Sequence, residues 1–150
     1  MTEVTHCHPQ NTTLATSASA TLHCLTGCVI GEVAGLMIAV SLGLSVWATI
    51  LLATSLAYIS GFTLGLLPVM RDRGKTLAEA FRLIWIGEVI SIGVMEFAMN
   101  TVDYHVGGMT AGSIFEPVFW YGIMAAIPAG FLAAWPVNAW LLKRDLKACH

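Results

Sequence analysis

Lysine and arginine are absent from two long parts of this 150-residue chain, residues 1–70 and 83–142. All seven lie in two short windows, residues 71–82 and 143–147. Charged residues of either sign make up 11% of the chain, against roughly 25% in soluble domains, whereas 57% are hydrophobic. This composition excludes a soluble globular domain, and no basic patch indicates nucleic-acid binding. The sequence instead predicts an integral membrane protein.

Four apolar segments are long enough to cross about 30 Å of hydrocarbon, which takes ~20 helical residues. They cover residues 22–43, 46–67, 83–102 and 117–142. The first two are separated only by a tight Gly-Leu-Ser turn, and the fourth opens with Pro117, which suits the first turn of a helix. We therefore predict an all-α integral membrane fold with four transmembrane helices.

The two basic windows predict the orientation of these helices, because cytoplasmic loops collect Lys and Arg. Both windows, and hence both termini, are placed on the cytoplasmic side, while the loop at 103–116 faces outward. Residues 1–20 are expected to form a mobile cytoplasmic tail with a His/Cys tract. A four-helix membrane domain then covers 21–142, and a basic cytoplasmic tail covers 143–150.

Short motifs recur between the two halves of the chain. The tetrapeptide IGEV occurs at 30–33 and again at 86–89. In the second and fourth segments a Gly-Phe pair precedes a Pro-Val pair, at 61–62 and 68–69 and at 130–131 and 136–137. Matches in the same order predict two duplicated helical hairpins in parallel repeat, as known in membrane transporters. Convergent use of small residues for packing is the alternative.

The first segment carries two stripes of functional interest. Cys24, Cys28 and Glu32 follow each other at four-residue spacing and share a helix face. Thiolates with the adjacent imidazole of His23 are a favourable donor set for Cu(I) or Zn(II). The alternative is that each Cys serves as a small buried hydrophobe. A disulfide between the two is not expected, because their side chains emerge one helical turn apart.

The second stripe consists of small residues and lies one position away, at Gly27, Gly31 and Gly35. Small residues at this spacing let another helix approach closely. The approaching helix is either one of the same chain or one of a partner.

Glu32 and Glu88 occupy the same position in the two IGEV copies and fall inside predicted spans. A carboxylate at such depth costs ~2.5–3.5 kcal/mol on insertion scales, so each is expected to face a partner, a cavity or a bound cation. We predict that the two lie at similar depth and form an intramembrane relay.

The third segment places Met95, Glu96, Met99 and Asp103 on one broad face, together with Asn100. The methionines form an MxxxM pair, and thioethers select Cu(I) over hard cations. We predict metal entry here, with ordinary core packing of the methionines as the alternative.

Soft ligands also occur near both ends of the chain, where they are predicted to be auxiliary metal ligands. They are His6, Cys7, His8, Cys149 and His150. All four cysteines thus fall on or near the cytoplasmic side, while the outer side offers thioethers and carboxylates. That polarity suits inward movement of a soft metal, since thiolates need a reducing compartment. A sensor or a store would show the same pattern.

The runs HCLTGCVIGE at 23–32, VME at 94–96 and WPVNAWL at 135–141 resemble the bacterial membrane family named only as domain-of-unknown-function family 4396. The resemblance covers about Thr21 to the C-terminus. It implies a multi-pass protein of the bacterial inner membrane and an association with copper handling, although the family's label carries no activity.

These patterns favour a small inner-membrane protein that binds and translocates a soft transition metal, Cu(I), and forms a homo-oligomer among membrane lipid. One alternative is a non-transporting subunit that binds a partner through its glycine stripe. Another is a proton-coupled carrier built on the intramembrane glutamates. No set of nucleophile, base and orienting residue is visible, so we expect no enzyme.

Overall fold

A computed structural model describes residues 14–74 and 76–144, apart from four side chains, those of Pro68, Asp72, Arg73 and Leu83. Within these residues the fold is all-helical, without β-strands. The elements are α1 (Leu14–Ser41), α2 (Val46–Arg73), α3 (Leu77–Val106), a 3₁₀ turn (Gly108–Thr110) and α4 (Pro117–Lys143).

The predicted auxiliary ligands lie outside the described residues. They are His6, Cys7 and His8 near the start of the chain, and Cys149 and His150 at its end.

Three of the described helices are long and apolar enough to cross a membrane, namely α1, α2 over Val46–Arg71, and α4. Their length and composition indicate a multi-pass membrane protein. The remaining helix, α3, is the longest at 30 residues, but it carries Glu88, Glu96 and Asp103.

α1 begins at Leu14, so residues 14–20, which we predicted as a mobile tail, are helical. The reason is tertiary packing. Ser17 and Thr21 are buried, and the indole Nε1 of Trp135 on α4 donates a hydrogen bond of 3.0 Å to Ser17 Oγ. The apolar pattern of the membrane segment marks only the part that hydrocarbon would cover, and the helix continues beyond it.

The connections place the four helices in two antiparallel hairpins. Gly43 has φ +62° and closes the tight turn between α1 and α2, while Gly74, with φ +57°, follows α2. A capping box then starts α3, in which Thr76 Oγ1 accepts from the backbone N–H of Glu79 and the Glu79 carboxylate accepts from Thr76 N–H. We refer below to the Gly43 end and the Gly74 end of the bundle.

The bundle packs as two hairpins: α1 lies mainly against α2, and α3 mainly against α4. Its interior has three layers. Val69, Ala80 and Ile84 fill the Gly74 end, and Leu36 and Phe119 belong to the layer at the Gly43 end. The middle layer contains thiols and thioethers and is described with the site.

The glycine stripe of α1 packs on α2 of the same chain. A Cβ built on Gly31 would clash with the backbone carbonyl of Leu56 and with Ser60 Oγ, and one on Gly27 would lie 2.9 Å from Gly61 Cα. Ser60 Oγ also donates a hydrogen bond of 2.7 Å to the Gly27 carbonyl. The stripe is therefore covered and is not a surface for a partner.

The outward faces of the helices are apolar, at positions eight residues apart: Leu22, Ile30 and Ile38 on α1, Leu51, Ile59 and Leu67 on α2, and Met124, Leu132 and Trp140 on α4. The buried positions, in contrast, include four carboxylates, those of Glu32, Glu88, Glu96 and Asp103. This distribution, apolar outside and polar inside, is the reverse of that in a soluble protein and suits a lipid environment.

The close approach at Gly31 predicts that Gly31→Ala overpacks the α1–α2 contact, because its clash is with backbone that cannot rotate away. We expect the free energy of unfolding to fall by about 2 kcal/mol or more, measured from thermal unfolding in detergent. Gly65→Ala is the matched control, since its Cβ would meet the Glu88 carboxyl carbon at an ordinary 3.4 Å. Equal stability of the two variants would contradict this account of the packing.

Candidate functional site

Polar and sulfur side chains form one buried column along the bundle interior, which we call the polar column. From the Gly74 end to the Gly43 end it contains Ser17, Thr21, Cys24, Cys28 and Glu32 along α1, and Glu88, Ser91, Met95, Glu96, Met99, Asn100 and Asp103 along α3. Asn138 of α4 joins it at the Gly74 end, and each of these residues is at most 8% exposed. Most members belong to α1 and α3, which lie on a diagonal of the bundle and face each other across it.

At the Gly74 end of the column, α4 supplies hydrogen-bond donors to α1. Asn138 Nδ2 donates a bond of 2.9 Å to Thr21 Oγ1, and the Thr21 hydroxyl in turn donates to the carbonyl of Ser17 at 2.7 Å. With the Trp135 indole bond to Ser17, these contacts attach the start of α1 to the end of α4. Because they satisfy buried polar groups, these hydrogen bonds indicate a structural role for Ser17, Thr21 and Asn138.

One turn further in, a thiol meets a carboxylate. Cys24 Sγ donates a hydrogen bond of 3.7 Å to Glu88 Oε2 and lies 3.7 Å from Ser91 Oγ. The side chains of Cys24 and Cys28 also interact with each other, but no disulfide joins them. Thiol, hydroxyl and carboxylate thus meet at one level of the column.

The middle of the column is a cluster of four sulfur side chains, which we call the sulfur cluster. Cys24 and Cys28 from α1 and Met95 and Met99 from α3 belong to one buried apolar cluster, in which Cys24 lies nearest the Gly74 end and Met99 nearest the Gly43 end. Gly130 of α4 makes room for the thioethers, because a Cβ there would lie 2.7 Å from Met99 Sδ. Two cysteines and two methionines that the sequence placed on separate helices thus share one buried cluster.

Toward the Gly43 end the column becomes acidic, beginning with Glu96, which lies between Met95 and Met99 along α3. The Glu32 carboxylate lies within electrostatic range of those of Glu96 and Asp103. Asn100 Nδ2 donates to Glu96 Oε2 at 3.3 Å and to Thr54 Oγ1 at 3.3 Å. Among the described residues, Oε1 of Glu32 and Oε1 of Glu96 have no hydrogen-bond partner. Buried carboxylate oxygens without donors are costly, which marks this level for a function.

Asp103 sits in a cradle of glycine backbone at the Gly43 end. A Cβ on Gly108 or on Gly122 would clash with its Oδ1, so the carboxylate occupies space that side chains at these positions would fill. The backbone of Met109 interacts with the carboxylate, yet neither oxygen makes a well-formed hydrogen bond within the described part of the chain.

These carboxylates have no basic side chain of their own chain within the spans, because Lys and Arg are absent from 1–70 and 83–142. The described cations Arg71, Arg82, Lys143 and Arg144 are exposed. Protons, a bound cation or a partner molecule must therefore balance charge that develops on the acidic part of the column.

His23 is not brought to the cysteines. It is exposed, and its Nε2 lies 3.2 Å from the carbonyl of Leu64 on α2. Successive helical residues point about 100° apart, so burial of Cys24 turns His23 outward. Within residues 14–74 and 76–144, no three side chains of His, Cys, Asp or Glu converge closely enough to hold a metal ion.

We expected Glu32 and Glu88 to lie at a similar depth, but the structure places them at different levels of the bundle. Glu32 interacts with Glu96 and Asp103, whereas Glu88 contacts Cys24. Glu88 and Glu96 are separated by about 12 Å along α3 at a helical rise of about 1.5 Å per residue. The IGEV copies therefore match in sequence but not in level.

Several contributors to the column were missed by sequence reasoning. Ser91 and Thr54 are short polar residues in apolar helices, and nothing in their spacing distinguishes them from solvent-facing or back-bonded hydroxyls. Gly108 and Gly122 matter because Asp103 fills the space beside them. The requirement for glycine at these two positions depends on tertiary packing, which the sequence does not show.

The architecture and the buried acidic interior define a multi-pass helical membrane protein. Residues 13–147 match the family model described as Domain of unknown function (DUF4396), and the chain belongs to this family. No curated protein and no solved structure matches the chain.

Burial of the sulfur cluster predicts that its thiols are protected, because alkylation requires an exposed thiolate. In a Cys7→Ser/Cys149→Ser protein, we expect Cys24 and Cys28, which are 5% and 0% exposed, to resist maleimide in the native state. They should react after denaturation in SDS, as followed by mass spectrometry. Ser41→Cys, at an exposed position near the α1–α2 turn, is the positive control. Rapid labelling of native Cys28 would show that the cluster is open.

Proposed function

We propose that this protein binds a soft monovalent metal ion, Cu(I), inside its helix bundle and translocates it across the membrane. The observation that carries the proposal is the sulfur cluster, in which two thiols of α1 and two thioethers of α3 belong to one buried part of the bundle interior. Cu(I) prefers thiolate and thioether ligands, and hard cations do not. The residues that would bind it are Cys24, Cys28, Met95 and Met99.

The acidic part of the column supports an entry path. Asp103 stands at the Gly43 end, Glu96 lies further inward between Met95 and Met99 along α3, and Glu32 lies near both of these carboxylates. No Lys or Arg of the predicted spans opposes them. Negative side chains without counter-charge attract a cation and lower the cost of its transfer from water. At the end of the sulfur cluster nearest Gly74, Glu88 and Ser91 flank Cys24 and would accept the ion on its way to the Gly74 end.

This path requires α3 to be a fourth span. Support comes from its length and from the inward position of its carboxylates, which leaves Phe97, Val89 and Ile90 exposed to lipid. With the basic windows on the cytoplasmic side, the Gly43 end faces outward and both termini face the cytoplasm of a bacterial inner membrane. Duplicated hairpins and a homo-oligomer belong to the same proposal.

A second candidate is proton-coupled transport. Its specific support is that Glu32, Glu96 and Asp103 lie near one another in the bundle interior with unsatisfied oxygens. In such a carrier these carboxylates would take up and release protons, and the sulfur cluster would serve only for packing.

Copper binding is tested first on the full-length protein with its terminal ligands replaced (His6→Ala, Cys7→Ser, His8→Ala, Cys149→Ser, His150→Ala). We expect Cu(I) to be retained against a chromophoric chelator under anaerobic conditions. Adding Cys24→Ser with Cys28→Ser should weaken binding by about 100-fold or more, because two thiolate ligands are lost. Binding that is absent, or unchanged in the cysteine pair, would refute a metal site in the bundle.

Transport is tested in proteoliposomes that contain a Cu(I) chelator and a pH indicator. We expect Met95→Leu with Met99→Leu to reduce Cu(I) uptake by about tenfold or more, because Leu preserves the volume but removes the thioethers. Met124→Leu, on the exposed face of α4, is the matched control. If the double variant leaves Cu(I) uptake unchanged, the metal path is wrong. A proton flux lost with Glu32→Gln and kept in the methionine variant would then favour proton-coupled transport.

A further inference from the structure

A lateral pocket opens between α2 and α3, on the side of the bundle away from α4. Its volume is about 480 Å³, which falls in the range of small-molecule sites. Its described lining comes from both helices and is mostly apolar. Besides the aromatic residues named below, Ile50 and Thr54 of α2 and Gly93 and Thr101 of α3 contribute to it. The pocket lies beside the polar column, not within it.

Aromatic side chains form most of the pocket wall. Trp47 and Tyr58 come from α2, and Phe97 and Tyr104 come from α3. Tyr58 is held in place because its hydroxyl donates a hydrogen bond of 3.0 Å to the Val89 carbonyl. Gly93 leaves room for that hydroxyl, since a Cβ there would lie 2.9 Å from it. The faces of aromatic rings attract cations, most strongly where water is excluded.

A carboxylate stands at the floor of this aromatic pocket. Glu96 lines it together with Asn100 and is only 3% exposed. Asn100 donates to Glu96 Oε2, while Oε1 has no hydrogen-bond partner among the described residues. No Lys or Arg belongs to the described lining. His105 also lines the pocket, and its Nδ1 lies 2.7 Å from the Thr101 carbonyl. The site therefore combines a large apolar surface with a buried carboxyl group that no Lys or Arg of the described lining opposes.

The depth of Glu96 distinguishes between possible sources of a cation. It lies ten residues before the end of α3 at Val106, or about 15 Å along the helix axis. A choline or ethanolamine headgroup remains at the membrane surface and would not reach this level. With α3 as a span, as proposed above, a cation that reaches Glu96 sideways through this pocket, rather than along the polar column, must itself be soluble in hydrocarbon.

We propose that the pocket between α2 and α3 binds a lipophilic organic cation, with Glu96 supplying the counter-charge and Trp47, Tyr58, Phe97 and Tyr104 enclosing its apolar groups. The ligand class is a cation whose charge is surrounded by aryl or alkyl substituents. This site does not depend on Cu(I) binding, because none of the sulfur residues lines it.

The test uses full-length protein in detergent and radiolabelled tetraphenylphosphonium in equilibrium dialysis. We expect saturable binding at one site per chain, weakened about tenfold or more by Glu96→Gln, because the opposite charge in a low-dielectric site is lost. Trp47→Ala should also weaken it through loss of the aromatic wall. Tetraphenylborate, which has the same shape and the opposite charge, should show no saturable binding.

Two matched controls lie outside the pocket. Glu116→Gln removes an exposed carboxylate, and Phe115→Ala removes an exposed ring; both should bind as the wild type does. Each variant is compared by size-exclusion profile, and Trp47→Ala replaces Glu96→Gln as the deciding variant if the latter fails to fold. Binding that is unsaturable, that persists in both pocket variants, or that is equal for tetraphenylborate would overturn the proposal.

Discussion

The contact between Gly31 and the backbone of Leu56 is the constraint on which the interior depends. It places α1 and α2 so close that a single methyl group would not fit, and Ser60 bonds across it to Gly27. Because Cys24, Cys28 and Glu32 lie one position round the helix from this stripe, seating the glycines on α2 turns the thiols and the carboxylate toward α3 and α4. The polar column follows from that rotation.

Uncompensated charge is the second organising feature. Exposing Glu32, Glu96 or Asp103 to lipid would cost free energy, so these side chains are expected to face the interior of the bundle. In this bundle they are hidden next to each other, with little hydrogen bonding. The proposed passage of a cation or a proton would account for retaining such a cost. The two proposed sites use the same property in different ways, since Glu96 borders both the column and the aromatic pocket.

Much of the architecture was predictable from residue patterns, and the site only in part. The helix ends beside Gly43 and at Pro117 could be predicted, because the preferences of Gly for turns and of Pro for the first helical turn depend only on neighbouring residues. The family was recognisable from the HCLTGCVIGE run and is confirmed over residues 13–147. In contrast, the sequence did not predict that Glu88 contacts Cys24 instead of lying at the same depth as Glu32. That contact depends on the axial offset between α3 and α1. Repeated tetrapeptides carry no information about that offset.

The sequence by itself determined the membrane class, the helical segments and the faces of each helix, because hydrophobicity and a 3.6-residue period act locally. It also determined that no basic side chain could neutralise the carboxylates within the spans. Only the tertiary structure decided which faces meet. It placed Cys28 in one buried cluster with Met95 and Met99, turned His23 outward, and fitted Asp103 against Gly108 and Gly122. These outcomes depend on the relative rotation and axial shift of packed helices, which arise from close contacts between residues distant in the chain.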